Sequence, residues 1–342
     1  MTVLVTGGCG YIGSHVAVRL LAAGHDVLIV DDLSNTRASV VARIARICGR
    51  APRFREADVT RRRALAAALA GERIASVVHL AGRKAVGESV ADPLLYHRVN
   101  FVGTLNVREA TGDCPFVYSS SATVYGNPAQ CPVTETAPAA PANPYGSSKL
   151  ASEVALREWS AAHPAATVVI LRYFNPVGAH PSGLIGDDPA GVPQNLMPRI
   201  ERVAVGADPV LPIHGDDYPT RDGTAVRDYV HVEDLAEAHV RALALQVPGA
   251  TTLNLGSAQG ATVREVLQAF ERATGRRIPV RVGPRRPGDV PTVWADASRA
   301  REALGWTARR SLETACRDAM RWRRWWSAHV ATEDKSLAGA AA

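Results

Sequence analysis

"TVLVTGGCGYIG", residues 2–13, runs a β-branched apolar stretch straight into glycines in the register Gly7-x-x-Gly10-x-x-Gly13. Glycine lets the chain turn tightly and lets backbone approach a pyrophosphate. A helix opening behind the loop offers free N–H groups and the positive end of its dipole. The next apolar run, "DVLIVD" (26–31), closes on Asp31, eighteen residues beyond Gly13. A carboxylate there accepts hydrogen bonds from a ribose diol and repels a 2′-phosphate, so the spacing predicts NAD rather than NADP.

Further apolar runs occur at 53–58, 76–81, 115–120 and 167–174. Between them, at 11–24, 37–49, 61–71, 92–111 and 144–163, apolar residues recur at the helical three- and four-residue spacing. This alternation predicts an α/β fold, a doubly wound parallel sheet of the Rossmann type over residues 1–175. Asp58 and the Ala81-Gly82 backbone fall at carboxyl ends of such strands, where a dinucleotide lies. Lys84 comes just after them and reads either as a ligand contact or as a solvated charge. From about residue 176 the chain becomes rich in Gly and Pro, and a smaller mixed α/β lobe is expected over 176–330, with some segments returning to the sheet. Helices are expected at 231–246, at 262–275 with Thr262 and Glu265 as a capping box, and near 311–328. The alanine-rich stretch 331–342 reads as a frayed tail.

The five cysteines, Cys9, Cys48, Cys114, Cys131 and Cys316, show neither a disulfide framework nor metal-ligand spacing. No metal is expected. With no basic leader and no membrane-length apolar run, the expected setting is the cytoplasm. A net charge of +6 raises nucleic acid as a partner, but the longest basic block is Arg61–Arg63, so an anionic small ligand suits the charge better. "RWRRWW" (321–326) reads as helix packing.

"NPYGSSKLASE" (143–153) carries the chemistry. Asn143 suits an N-cap and Pro144 a first helical position, so Tyr145 and Lys149 share one helix face. The chain has 39 basic residues, yet its only lysines are Lys84, Lys149 and Lys335, so lysine at this spot goes against the composition. A phenol titrates near 10, too high for a base at neutral pH. An ammonium about 4 Å away at an effective dielectric near 20 contributes about 4 kcal/mol. That corresponds to roughly three pKa units, enough to poise Tyr145 as a base toward an alcohol. A surface Tyr–Lys pair is the plain alternative. "SSSATVYG" (119–126) weighs against it by placing hydroxyls at the end of the fifth strand. Ser121 is the candidate to bridge the phenol and a substrate oxygen, while Ser119 and Ser120 serve the strand end.

Together with "HLAGRKAVGES", "RYFNPVGAHPSG", "QNLMP", "GTAVRDYVHVEDLA", "NLGS" and "RRPGDV…WADASRA", these blocks resemble the UDP-glucose 4-epimerase family, extended short-chain dehydrogenases/reductases. The likeness spans residue 2 to about 325. It implies catalytic roles for Ser121, Tyr145 and Lys149, and a homodimer paired through a helix bundle. It implies that NAD lies along Gly7, Gly10, Tyr11, Ile12 and Gly13, along Asp31, Asp32, Leu33, Ser34, Asn35 and Thr36, and along Asp58 and Val59. Leu80, Ala81, Gly82, Lys84, Asn100, Tyr173 and Phe174, with the catalytic residues, complete that cofactor set. For the UDP-sugar it implies Lys84, Ser121, Thr123, Tyr145, Asn175, Asn195, Leu196, Pro212, His214, Arg227, Tyr229, Arg286, Asp289 and Val293. The implied reaction moves hydride from sugar C4 to NAD+, turns the 4-keto sugar over, and returns hydride to its other face.

The chain departs from the family pattern at three places. Ser147 stands where a lysine is frequent, and His214 where a uridine-stacking phenylalanine is frequent. Val293 occupies a position where many bacterial members carry tyrosine, which predicts room for UDP-GlcNAc and UDP-GalNAc. A 4,6-dehydratase is disfavoured because Ala122 and Thr123 supply no acid after Ser121. A 4-epimerase of UDP-xylose/arabinose or UDP-glucuronate stays open, as does a non-catalytic NAD sensor on the same fold.

Overall fold

The computed structural model describes residues 2–189, 191, 193–286 and 288–340, with 330–340 described by backbone alone. The first unit runs β1 (Thr2–Thr6), α1 (Tyr11–Ala22), β2 (Asp26–Asp31), α2 (Ser39–Cys48), β3 (Arg53–Glu56), α3 (Arg62–Ala68) and β4 (Ile74–His79). It continues through α4 (Val86–Ala91), α5 (Pro93–Tyr96), a π-helical turn (His97–Val102), α6 (Gly103–Thr111), β5 (Phe116–Ser121), α7 (Pro144–Ala162) and β6 (Thr167–Tyr173). All six predicted strands form, and all pair in parallel. Their near-continuous apolar character reflects burial on both faces. Val3, Val5, Ile29 and Leu171 pack with α1, while Leu4, Leu28, Val77 and Phe116 pack on the opposite side with Val107 of α6 and Leu156 of α7.

One element differs from the sequence reading. Residues 92–111, expected as a single helix, are broken by the π turn between α5 and α6. Asp92 caps α5 by accepting from the Leu95 N–H at 3.1 Å. A π turn inserts one residue into the helical ladder and re-aims the side chains it carries, among them Asn100.

The remainder comprises β7 (Asn175–Val177), α8 (Leu196–Ala204), β8 (Leu211–His214), β9 (Val226–His231), α9 (Val232–Ala244), β10 (Gly249–Leu255), β11 (Gly260–Thr262), α10 (Val263–Thr274), β12 (Val280–Gly283), β13 (Thr292–Val293), α11 (Ser298–Leu304) and α12 (Leu312–Ala340). β10 joins the large sheet beside β6, giving the order β10-β6-β5-β4-β1-β2-β3. α9 packs across α1. The other strands make a lobe of two small sheets, with β9 between β11 and β13 and pairing with β7, and β8 beside β12. The lobe's core joins Met197 and Ile200 of α8, Val266 and Phe270 of α10, and Cys316 and Met320 of α12. The capping box of α10 is present, with the Glu265 N–H donating to Thr262 Oγ1 at 3.0 Å and the Thr262 N–H to Glu265 Oε2 at 2.8 Å.

α12 extends to Ala340, through most of the stretch read as a tail, whose last residues, 341–342, lie outside the described ones. Trp322 is buried against Gly186, so the "RWRRWW" segment packs rather than presenting a basic stripe. All five cysteines are free. Among the described residues no helix is long and apolar enough to cross a membrane, and no cluster of His, Cys, Asp and Glu could hold a metal.

Candidate active site

The glycine loop lies between β1 and α1, against the ends of β2 and β4. Gly7 has φ +69°, and a Cβ there would meet Ala81 N at 2.7 Å. A Cβ on Gly13 would lie 2.1 Å from Gly7 O. Both glycines are required by the protein's own packing. At Gly10 the tightest approach is 3.2 Å, to Gly7 O, so packing alone does not demand glycine there. Gly10 is also the N-cap of α1 and offers no side chain to the first-turn N–H groups. An open cradle with uncapped donors fits a pyrophosphate.

Asp31 is buried and more committed to the protein than its sequence position suggests. Oδ2 accepts from the Cys9 N–H at 3.0 Å, and Oδ1 from the Leu33 N–H at 3.0 Å and the Thr36 hydroxyl at 2.8 Å. It ties the glycine loop to the turn at 31–36 and presents spare lone pairs rather than a free carboxylate. Burial raises its pKa, opposed by those three hydrogen bonds. Asp32 accepts from Ser34 at 2.8 Å, and Asp58 caps the turn after β3 through the Thr60 N–H at 2.8 Å. The Tyr11 phenol donates to Gly178 O at 2.7 Å. Lys84 is paired with Asp187 at 3.3 Å and lies 5.7 Å from the centre of the Tyr11 ring.

α7 positions the Tyr–Lys pair. Asn143 Oδ1 accepts from the Gly146 N–H at 3.0 Å, so the N-cap and the Pro144 start form as expected. The three serines of β5 divide their work. Ser119 O accepts from Lys149 Nζ at 2.8 Å, Ser120 donates to Glu153 Oε1 at 2.5 Å, and Ser121 pairs with the Thr123 hydroxyl at 2.9 Å. Ser121 is also the hydrogen-bonding neighbour that draws the Tyr145 pKa down. The half-buried Tyr145 ring stands edge-on to Tyr96, whose own phenol is fixed by Ala85 O and Glu88.

The electrostatics correct the sequence argument. Burial raises the Tyr145 phenol above its usual value, and Ser121, not Lys149, opposes the rise. The i,i+4 spacing puts both residues on one face, but the lysine stem reaches onward to the end of β5. Its ammonium sits 5.1 Å from the centre of the Tyr118 ring and 3.4 Å from where a Cβ on Gly82 would stand. Desolvation lowers Lys149 to about 8, with Glu153 acting against the fall. The cation therefore stands at the edge of the dinucleotide cleft rather than over the phenol.

Two supports of this site do not show in the residue pattern: Asn100, named only through the family resemblance, and Glu153, which sequence reasoning missed. Asn100, aimed by the π turn, accepts from the Arg83 N–H at 2.8 Å and donates to Arg83 O at 3.1 Å and Ser148 Oγ at 2.9 Å. Its carbonyl receives Thr104 and Ser152, and Thr104 continues to His79 and on to Thr6. The second is Glu153, fully buried one turn beyond Lys149. It holds Ser120, Arg157 at 2.7 Å, and Arg172 of β6 through two bonds of 2.9 and 2.6 Å. A carboxylate two turns after the tyrosine, facing an arginine inside an apolar strand, was the available signal.

The lobe places the remaining candidates unevenly. Arg227 donates to Val290 O at 2.8 Å and faces Asp289 at 3.6 Å. Asn175 and Asn195 are exposed, at the start of β7 and the N-cap of α8, and Arg286 is exposed. Tyr229, Leu196, Pro212 and His214 are half-buried. Val293 is buried with Val124, Tyr125 and Phe174, near Ala122. The Tyr173 phenol bonds His239, so only its backbone end approaches the cleft. Arg199, on α8, was not anticipated; its Nε is buried without a partner.

Residues 4–319 match the family model described as GDP-mannose 4,6 dehydratase. The chain is 50% identical over 327 residues to UDP-glucose 4-epimerase of Bacillus subtilis, covering 94% of this chain and 96% of the relative. Its fold superposes with TM-score 0.93 on the UDP-glucose 4-epimerase of Stenotrophomonas maltophila with bound NAD and formylated UDP-arabinopyranose, at 50% identity, covering 96% and 99% of the two chains. The enzyme of Bifidobacterium longum in complex with NAD+ and UDP gives TM-score 0.92 at 43% identity, covering 95% and 98%.

Proposed function

The chain belongs to the UDP-glucose 4-epimerase family of extended short-chain dehydrogenases/reductases, and on that footing we propose that it interconverts UDP-glucose and UDP-galactose with NAD. The observation that carries the reading is the convergence of Ser121, Tyr145 and Lys149 beside the Gly7–Gly13 cradle. The dehydratase description covers the wider family, and the short 3-10 turn after Ser121 begins Ala122-Thr123 with no acid to expel water.

When bound, NAD+ supplies the hydride acceptor and donor at sugar C4. Tyr145 takes the proton of the sugar 4-hydroxyl and later returns it. Ser121, the neighbour that lowers the phenol's pKa, would carry the hydrogen bond from tyrosine to sugar oxygen. Lys149, with its ammonium at the edge of the cleft beside Gly82, would hold the ribose hydroxyls of the dinucleotide. Asn100 fixes the backbone at Gly82 and Arg83 beside them. Arg199, Arg227 and Arg286 hold the diphosphate, so the sugar can turn while the nucleotide stays anchored. Purified protein should convert UDP-glucose to UDP-galactose with no added reductant. A stable 4-keto-6-deoxy product or no conversion would refute the reading.

The pocket bounded by Val293 extends the substrate range. β13 sets Val293 beside Arg227 of β9, in register, with Ala122 near. A valine leaves room beside the C2 substituent, so UDP-GalNAc is expected as a second substrate. Val293→Tyr should suppress turnover of UDP-GalNAc at least tenfold, about 1.4 kcal/mol, and spare UDP-galactose. Wild-type protein inert toward millimolar UDP-GalNAc would reject the expectation. A pentose substrate is the second reading, supported by the arabinopyranose-bound relative.

A homodimer is supported by an apolar face. Val86, Val90, Leu94, Val102 and Val154 are all exposed on the helices around α4–α7, beside a groove lined by Phe101, Pro141 and Leu150. Exposed apolar side chains gathered on neighbouring helices are the kind of surface that pairing of two copies would cover.

A further inference from the structure

His214 ends β8 opposite Gly283 of β12. Its Nε2 is buried without a partner, as are Arg199 Nε of α8 and the phenol of Tyr218 in the loop after β8. Buried polar atoms are ordinarily satisfied, so unpartnered atoms on His214 and on Arg199, whose charge acts on the ring, mark a place suited to a polar ligand. The charges facing the ring are Arg286 and Asp289 from the loop after β12 and Arg199 from α8, with a hydrogen bond to the Pro284 carbonyl. Neighbouring charges are already engaged. Arg227 faces Asp289, Arg285 pairs with Asp217, and Asp216 faces Arg264. The ring thus looks at two cations against one shared anion.

We infer that His214 takes up a proton as the diphosphate of a UDP-sugar seats against Arg199 and Arg286, so that nucleotide-sugar affinity is linked to pH through this ring. The inference rests on the functional reading above and deepens it. Burial first, then Arg286 and Arg199, hold the imidazole below its usual pKa, so the free protein carries it neutral near pH 7. A dianion seated against the arginines offsets their repulsion of the ring and adds attraction, so the bound-state pKa rises. Between the two values binding draws in a proton, and affinity strengthens as pH falls. A phenylalanine at the same position would stack on a base but could not respond to pH.

The test is calorimetric. UDP-glucose is the probe because its diphosphate is esterified at both ends and keeps its charge throughout the range. The Tyr145→Phe background slows turnover about a thousandfold during the titration. Titrations near pH 6 in buffers of differing ionisation enthalpy should show net uptake of a fraction of a proton per site. Between pH 5.5 and 7.5 the Kd should weaken by about three- to tenfold, the factor for a shift of half a pKa unit to one unit. Adding His214→Phe should abolish both the proton uptake and the pH dependence of Kd. Zero uptake with a flat Kd, or an unchanged pH dependence in the phenylalanine variant, would overturn the inference. Absence of UDP-glucose binding at every pH would instead refute the functional reading, and the inference with it.

Discussion

Tyr145→Phe protein is expected to interconvert UDP-glucose and UDP-galactose about a thousandfold more slowly than wild type, the middle of the range for loss of a positioned acid–base group. The substitution removes one oxygen and leaves the ring edge-on to Tyr96, so folding should be intact. The drop should fall on kcat, since the phenol acts on the reacting hydroxyl and not on the diphosphate. The wild-type profile carries a second mark of the same machinery. Lys149 is held near 8, so raising the pH above that value removes the ammonium that stands at the edge of the dinucleotide cleft. Activity should then fall on the alkaline side, although a phenol alone would become a better base there. Tyr145→Phe turning over within tenfold of wild type would remove the catalytic assignment.

The largest effect on stability is expected at Glu153. Its carboxylate is fully buried and accepts from Ser120, Arg157 and both ends of the Arg172 fork. Those donors keep its pKa below the usual value even though burial pushes it up. Glu153→Ala leaves Arg172, itself 3% exposed, charged and unpaired between β5 and β10, at a cost of about 3–5 kcal/mol. Removing both charges in a Glu153→Leu, Arg172→Met protein should recover most of that loss, because an apolar pair leaves no stranded ion. Denaturant unfolding of the NAD-saturated proteins compares the three. A single variant within 1 kcal/mol of wild type would show that the pair is not the clamp holding α7 to the sheet.

The sheet was legible because parallel strands buried on both faces announce themselves as unbroken apolar runs, and the helices between them keep their period. The Gly7–Gly13 register and the Tyr145–Lys149 spacing were legible because each is local: a turn and one helix face. What the sequence concealed was where long side chains end. Lys149 and Tyr145 share a face, yet the lysine donates to Ser119 on another element, and spacing says nothing about that reach. The π turn at 97–102 was hidden because its residues read as ordinary amphipathic helix; Asn100 is distinguished by its partners, not its period. Glu153, Arg172 and Arg199 were hidden for a related reason. Charged residues are presumed solvated until tertiary contacts bury them.

The chain passes from the sheet to the lobe at β7, returns as α9 and β10, leaves again through β11 to β13, comes back as α11 against β10, and departs once more as α12. Two bodies joined by so many threads are restrained against opening at any one of them, because the other crossings must move with it. A nucleotide-sugar then meets a chamber whose width those crossings help to set, and the keto sugar turns over within it. The size of that chamber, rather than any clamshell motion, then governs which sugars can complete the flip.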